Sequence, residues 1–215
     1  MKWWWMVSVV ILLFMGVAQA EEQVRPSSIG EMVIRAVPPL TAATVTVRAA
    51  DYVPKHGWAA GASGVRQAVE IMLTNGYEKL ARWMKEGGRP AGPSFVVFNE
   101  DPQTTPPQNM TCKIGYPVAE NAGGKNLVTI ERLPATTSAV VRHQGSLDDR
   151  AALRDSLGKW IFSRGYAPAG PFMEVYVNGT RAKPVPSDDV AEIRWPVRRM
   201  AQPHADGNDP PGSGR

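Results

Sequence analysis

One four-residue motif occurs twice in the chain, and this repetition constrains the fold more than any other feature of the sequence. Pro-Ala-Gly-Pro stands at residues 90–93 and again at residues 168–171, an offset of 78 residues. Each copy leads into a short segment rich in aromatic and β-branched residues, which predicts a strand. Self-similarity at a fixed offset indicates a structural unit that is duplicated within the chain.

The segments around the two motifs follow the same order. Residues 32–118 and 127–197 each predict strand, strand, helix, strand, strand, with helices in 64–86 and 147–163. Asn75-Gly76 predicts a kink or a break in the first helix. Two such units with matched hydrophobic faces predict an α+β fold, in which two antiparallel sheets and two packed helices enclose a central pocket.

The halves differ in length between their second strand and the Pro-Ala-Gly-Pro turn. The first half is about 16 residues longer there, and the extra residues fall near 51–68. This insertion is interpreted as a candidate lid or as an extended loop. Trp83 and Trp160 occupy equivalent helix ends, which favours core packing for both.

The N-terminus has the features of a secretory signal peptide. Lys2 precedes an apolar run of about fifteen residues, and Ala-Gln-Ala at positions 18–20 is a small-x-small cleavage signal. The sequence predicts cleavage after Ala20 and a periplasmic or secreted protein without a stable membrane anchor. An uncleaved anchor is the alternative.

The mature chain divides into three predicted parts. Residues 21–31 are a polar lead-in, and residues 32–200 form one domain that contains both repeats. Residues 201–215 are rich in proline, glycine and aspartate, which predicts a disordered tail.

Composition argues against several functional classes. The net charge is only +4, and the densest basic cluster, Arg194 with Arg198 and Arg199, is typical of a solvated surface, so no nucleic-acid partner is expected. The single cysteine, Cys112, excludes an intramolecular disulfide, and strand alternation predicts that it is buried. The three histidines are scattered along the chain. No metal and no cofactor are therefore expected.

One position differs in character between the two copies. Val96 in the first corresponds to Glu174 in the second. Strand alternation places Glu174 on the same face as Phe172 and Tyr176. A carboxylate inside an apolar strand is costly to bury without a partner. Two interpretations stay open: Glu174 faces a ligand, or it pairs with Arg142 or Arg194 and only fixes the fold.

Residues 33–197 resemble the GyrI-like (gyrase-inhibitor-like) effector-binding domain, which is also found in AraC-type and MerR-type multidrug-responsive regulators. The resemblance is carried by residues 142–145, by the Lys159-Trp160 helix end, and by residues 165–171, 174–176 and 192–197. It implies a duplicated β/α fold with an aromatic pocket. It also implies that a pocket glutamate, here Glu174, faces cationic or polar ligand groups. The candidate ligand-binding residues are Glu174, Tyr176, Trp195, Tyr116, Phe98 and Phe172.

The chain departs from this family pattern in three places. Ser146-Leu147 stands where relatives often have Pro-Tyr, the first half carries the insertion, and no helix-turn-helix segment precedes the domain. Haem-binding SOUL-type proteins share a broadly similar duplicated architecture, but no histidine here has an evident axial-ligand setting. A transcription-factor role and haem binding are therefore not expected.

The expected function is that of an exported, stand-alone protein that binds an amphipathic or cationic organic molecule. A first alternative is a hydrolase of strained-ring or electrophilic aromatic compounds, in which Glu174 acts as general base. A second is a periplasmic interaction or sequestering module that uses residues 51–68 and the basic end at 194–199. The sequence contains no Ser-His-Asp order and no phosphate loop, which favours binding over catalysis.

Overall fold

The computed structural model describes residues 28–102, 104–144, 147–177 and 190–201. The predicted signal peptide, most of the predicted lead-in and nearly all of the predicted tail lie outside these ranges, so these three stay predictions. Within them, no helix is both long enough and apolar enough to span a membrane.

The described part of the chain contains ten β-strands, two α-helices and two short 3-10 helices. The first half comprises β1 (Ser28–Ile29), β2 (Val33–Val37), β3 (Leu40–Arg48), η1 (Ala49–Tyr52), α1 (Gly61–Lys85), β4 (Phe95–Phe98), η2 (Pro107–Asn109) and β5 (Thr111–Pro117). The second half comprises β6 (Thr129–Leu133), β7 (Thr136–Gln144), α2 (Leu147–Ser163), β8 (Tyr166–Pro168), β9 (Phe172–Tyr176) and β10 (Val190–Arg199).

The strands form one antiparallel sheet in the order β1-β7-β10-β9-β4-β5-β3-β6, with β2 also on β7 and β8 on β10. The predicted α+β class is confirmed. The two predicted sheets are joined into one, because β4 and β9 pair edge to edge. A strand edge has unpaired backbone groups, and pairing the two edges satisfies both.

The first strands of the two halves exchange partners. β2 of the first half pairs with β7 of the second, and β6 of the second half pairs with β3 of the first. Each half therefore completes the sheet of the other. Alternation in the sequence specifies which face of a strand is buried but leaves its neighbour in the sheet unspecified.

Helix α1 is continuous through Asn75-Gly76, so the predicted kink or break is wrong. Gly76 instead lets the helix approach β5 closely, since a Cβ there would overlap Ile114 Cδ1 and lie 3.2 Å from Val47 Cγ2. Helix α2 has the predicted bounds. The insertion of the first half forms η1, an irregular segment and the first two turns of α1.

Both helices pack on one face of the sheet and enclose the hydrophobic core. Cys112 is fully buried there, as predicted, and burial together with the nearby charge of Glu100 raises the pKa of its thiol to about 12. Trp83 is also buried, and its indole N–H donates to the carbonyl of Gly123 at 3.3 Å. Trp160 is half-buried and packs against the same core.

Candidate functional site

A cavity of about 650 Å³ lies between the two helices and the junction of β4 with β9. It is a central pocket, as the α+β fold predicted. The N-terminal turns of α1 form one wall, which gives the insertion of the first half a place in the site. The lining residues are Gly61, Ala62, Val65, Arg66, Val69, Phe98, Pro102, Thr104, Thr105, Pro106, Pro107, Arg150, Arg154 and Glu174.

Glu174 is buried at the strand junction and has two polar partners. Its Oε2 accepts hydrogen bonds from Arg150 Nη1 at 3.4 Å and from the Tyr176 hydroxyl at 3.1 Å. The ion-pair partner is thus Arg150, and the predicted alternatives Arg142 and Arg194 both bind Glu192 instead. Arg142 on β7 and Arg194 on β10 lie on the face of the sheet opposite to Glu174. The sequence alone could not show this, because it does not specify the strand register.

Arg150 and Arg154 are functional candidates that the sequence interpretation missed. Both are buried, with 4% and 7% of their surface exposed, although they lie near the start of α2. Arg150 lies over the Tyr176 ring at 5.5 Å, and Arg154 lies over the Phe172 ring at 4.7 Å. A signal existed: the two arginines share helical spacing with the buried residues Leu153, Leu157 and Ile161.

Arg154 has a second contact at the edge of the cavity. Its Nη2 pairs with Asp101 Oδ1 at 3.3 Å, and the Asp101 side chain is about half-exposed. Arg154 therefore joins the turn after β4 to α2, next to the Phe172 ring.

Three of the predicted aromatic residues form one cluster. Phe98 and Phe172 stack with ring centroids 5.2 Å apart, and Trp195 meets Phe172 edge-on at 6.0 Å. The Trp195 indole N–H donates to the carbonyl of Gly170 at 3.1 Å, which fixes its orientation. Phe98 lines the cavity, and Phe172 and Trp195 are not among the lining residues.

Tyr116 and Tyr176 are buried and are not among the residues that line the cavity. Tyr116 meets Tyr77 edge-on at 6.5 Å, and burial raises its pKa to about 12. Burial and the charge of Glu174 raise the pKa of Tyr176 well above its usual value. Tyr176 is therefore a neutral hydrogen-bond donor to Glu174. Ligand contact by any of the six predicted residues stays a prediction, as does a general-base role for Glu174.

His143 lies near the charged group and is also buried. Its strand neighbour on β10 is Ala191, which in turn pairs with Tyr176. Neither ring nitrogen has a hydrogen-bond partner. Burial, followed by the positive charge of Arg150, lowers the pKa of His143. Among the residues placed by the structure, no group of three or more His, Cys, Asp or Glu side chains could hold a metal ion.

Comparison with known proteins finds one family and a set of related structures. The profile of the GyrI-like small molecule binding domain matches residues 61–198. The crystal structure of the EcmrR C-terminal domain superposes with a TM-score of 0.56 at 16% identity, covering 80% of this chain and 99% of that one.

The cryo-EM structure of an EcmrR–DNA complex superposes with a TM-score of 0.60 at 17% identity. The match covers 79% of this chain and 58% of the EcmrR chain, so this chain corresponds to little more than half of that protein. At these identities the two structures support the fold.

Proposed function

The chain belongs to the family of GyrI-like small molecule binding domains, and on that premise we propose that it binds an amphipathic organic molecule in the cavity between α1, α2 and the β4–β9 junction. The family resemblance inferred from the sequence is confirmed. A volume of about 650 Å³ is of the size that accommodates a drug-sized ligand.

The observation that carries this proposal is the chemistry of the cavity wall. Val65, Val69 and Phe98 supply apolar surface from α1 and β4. Arg150 and Glu174 place buried charged groups beside it. A mostly apolar wall with a few convergent polar groups is the usual composition of a small-molecule site.

Binding of a neutral apolar dye tests the proposal. N-phenyl-1-naphthylamine should show saturable fluorescence enhancement with the folded protein. Val65→Trp fills the cavity from α1 and should weaken dye binding at least tenfold. Glu70→Trp places the same indole on the exposed side of the same helix and should leave binding unchanged. Equal binding by the wild type and Val65→Trp would contradict a site in this cavity.

We also propose that residues 1–20 direct export and are removed. The proposal is supported by Lys2, the apolar run and the Ala-Gln-Ala signal. An exported protein would act away from cytoplasmic DNA, in keeping with the modest basic charge of the chain.

Expression of the full chain with a C-terminal tag, followed by cell fractionation and intact-mass measurement, tests export. The exported protein should begin at Glu21, and deletion of residues 2–20 should retain it in the cytoplasm. A mature protein that begins at Met1 would refute the proposal.

A further inference from the structure

Most of the charged residues in the cavity wall are arginines. Among the lining residues that the structure describes, Arg66, Arg150 and Arg154 provide three guanidinium groups, and Glu174 provides the one carboxylate. An arginine stays protonated throughout the physiological pH range. A cavity lined in this way attracts negative charge, because the field of the guanidinium groups is poorly screened where water is excluded.

Arg150 and Arg154 each pair with a carboxylate of the protein, and both contacts are 3.3 Å or longer. Glu174 accepts from Arg150 at 3.4 Å, which is long for a charge-assisted hydrogen bond, and the same oxygen accepts from Tyr176. Asp101 pairs with Arg154 at 3.3 Å but is about half-exposed, so solvent screens that pair. An approaching cation would meet a carboxylate that is already paired with Arg150, close to the guanidinium group of Arg154.

Arg150 also has an unsatisfied donor. Its side chain is 3% exposed, and its Nε has no hydrogen-bond partner. A buried donor without a partner is costly, and the cost is recovered when an acceptor enters. Arg150 lines the cavity, so a ligand in the cavity would lie next to this side chain.

We propose that the ligand is an organic anion, a carboxylate or sulfonate carried on an apolar aromatic frame. This inference rests on the proposed function and specifies the ligand class of the same cavity. Guanidinium groups bind planar or tetrahedral oxyanions through paired N–H donors, here those of Arg150 and Arg154. Phe98, Val65 and Val69 would contact the frame. The sequence alone predicted a cationic or amphipathic ligand, because Glu174 stands out in its strand whereas the burial of Arg150 and Arg154 beside the cavity is visible only in the structure.

Two dyes that share one frame test the sign of the ligand charge. 1-Anilinonaphthalene-8-sulfonate is N-phenyl-1-naphthylamine with a sulfonate added, and proflavine serves as a planar cation of similar size. The wild type should bind the sulfonate at least tenfold more tightly than the neutral dye, with proflavine weakest. All titrations use the folded full chain at one salt concentration, because screening changes charge effects.

Matched arginine variants locate the effect. Arg154→Gln should weaken sulfonate binding about tenfold, the amount expected when one hydrogen bond from a charged group is lost, and should lower the ratio of sulfonate affinity to neutral-dye affinity. Arg150→Met should lower the same ratio. Arg142→Gln removes an arginine on the opposite face of the sheet and should alter neither affinity. Arg154→Gln is decisive if Arg150→Met fails to fold, since it leaves the Arg150–Glu174 pair in place.

The outcomes separate this inference from the function beneath it. One outcome is that the neutral dye binds the wild type and binds Val65→Trp less tightly, while the sulfonate shows no advantage or proflavine binds best. This result overturns the anion inference and leaves the proposed function standing. Failure of all three dyes to bind overturns both. A sulfonate preference that survives Arg154→Gln and Arg150→Met also overturns the anion inference.

Discussion

Val96 and Glu174 are directly opposed in the antiparallel β4–β9 ladder, at the junction of the two halves of the chain. The same two residues correspond when the two Pro-Ala-Gly-Pro segments are aligned. The two residues are therefore equivalent positions of the two repeats and also direct neighbours across the junction. Both are buried, at 0% and 6% exposure, so equivalent sites differ in chemistry while sharing the same degree of burial.

The helices carry a matching difference. When α1 and α2 are aligned on Trp83 and Trp160, Leu73 of α1 is the residue equivalent to Arg150 of α2. Leu73 is 3% exposed and belongs to the core, whereas Arg150 pairs with Glu174. The second half thus has an arginine and a glutamate where the first has a leucine and a valine.

Replacing Glu174 and Arg150 by the apolar residues of the first half should show how much the free energy of unfolding changes when one buried charge is left alone and when both are removed. Glu174→Val leaves Arg150 buried and unpaired and should destabilise the fold by about 3–5 kcal/mol. The double variant Glu174→Val with Arg150→Leu should recover part of this loss, because a buried ion pair is often replaceable by apolar residues. The buried Tyr176 hydroxyl still lacks its acceptor, which should keep the double variant about 1–3 kcal/mol below the wild type. Urea unfolding measures both. A double variant as unstable as the single one would contradict this account.

The order of elements and the bounds of α2 could be predicted because alternation and helical periodicity are local properties of the sequence. The continuity of α1 could not, since Asn75-Gly76 is typical of a break. Only contact with Ile114, remote in sequence, explains why a glycine lies within that helix. The pairing of β2 with β7 and of β6 with β3 could not be predicted either, because the neighbours of a strand depend on the topology of the whole sheet.

The site was predictable in part for a related reason. Glu174 stands out because a carboxylate interrupts an apolar strand. Arg150 and Arg154 do not, because a long charged side chain on a helix usually reaches solvent. Their burial depends on where the start of α2 lies relative to β9, and that is a property of the tertiary structure.

Gly76→Ala should destabilise the protein even though alanine favours helix formation. The gain in helix propensity is about 1 kcal/mol. Overlap of the new methyl group with Ile114 Cδ1 in a fully buried contact should cost about 1–3 kcal/mol and exceed that gain. Thermal or urea unfolding gives the net loss. Adding Ile114→Val removes the overlapping methyl, so the double variant should be more stable than Gly76→Ala alone, and the absence of any recovery would show that the clash lies elsewhere.

Glu192 should contribute stability that depends on pH. Its carboxylate accepts from Arg35 at 2.7 Å, Arg194 at 2.8 Å and Arg142 at 3.2 Å. Burial alone would raise the pKa of Glu192, but these arginines outweigh burial and hold the pKa below its usual 4.5. A lowered pKa in the folded state means that the stabilisation is present above pH 4.5 and is lost as the pH falls through the lower folded value.

Glu192→Gln measures this contribution. Because Arg35 and Arg142 are about half-exposed or more, the loss at pH 7 should be about 1–2 kcal/mol. The difference between the wild type and Glu192→Gln should narrow as urea unfolding is repeated at pH 3. Glu70→Gln, on the exposed side of α1, is the control for loss of a surface carboxylate. A gap of constant size from pH 7 to pH 3 would contradict the ionic origin of the effect.

Three of the five tyrosines should stay protonated in the folded protein at pH 11. Burial raises the pKa of Tyr116 to about 12 and raises those of Tyr77 and Tyr176 well above the usual 10.0. Their neutrality stabilises the fold at lower pH, and this stabilisation declines as the pH rises above 10.

Absorbance at 295 nm, which reports tyrosinate, measures this directly. The native signal at pH 11 should lack three tyrosinates and should gain them on addition of denaturant. Tyr176→Phe should leave the native signal unchanged and lower the denatured signal by one tyrosine in five. Full ionisation of all five tyrosines in protein that retains its native circular dichroism would refute the burial of the Tyr176 hydroxyl against Glu174.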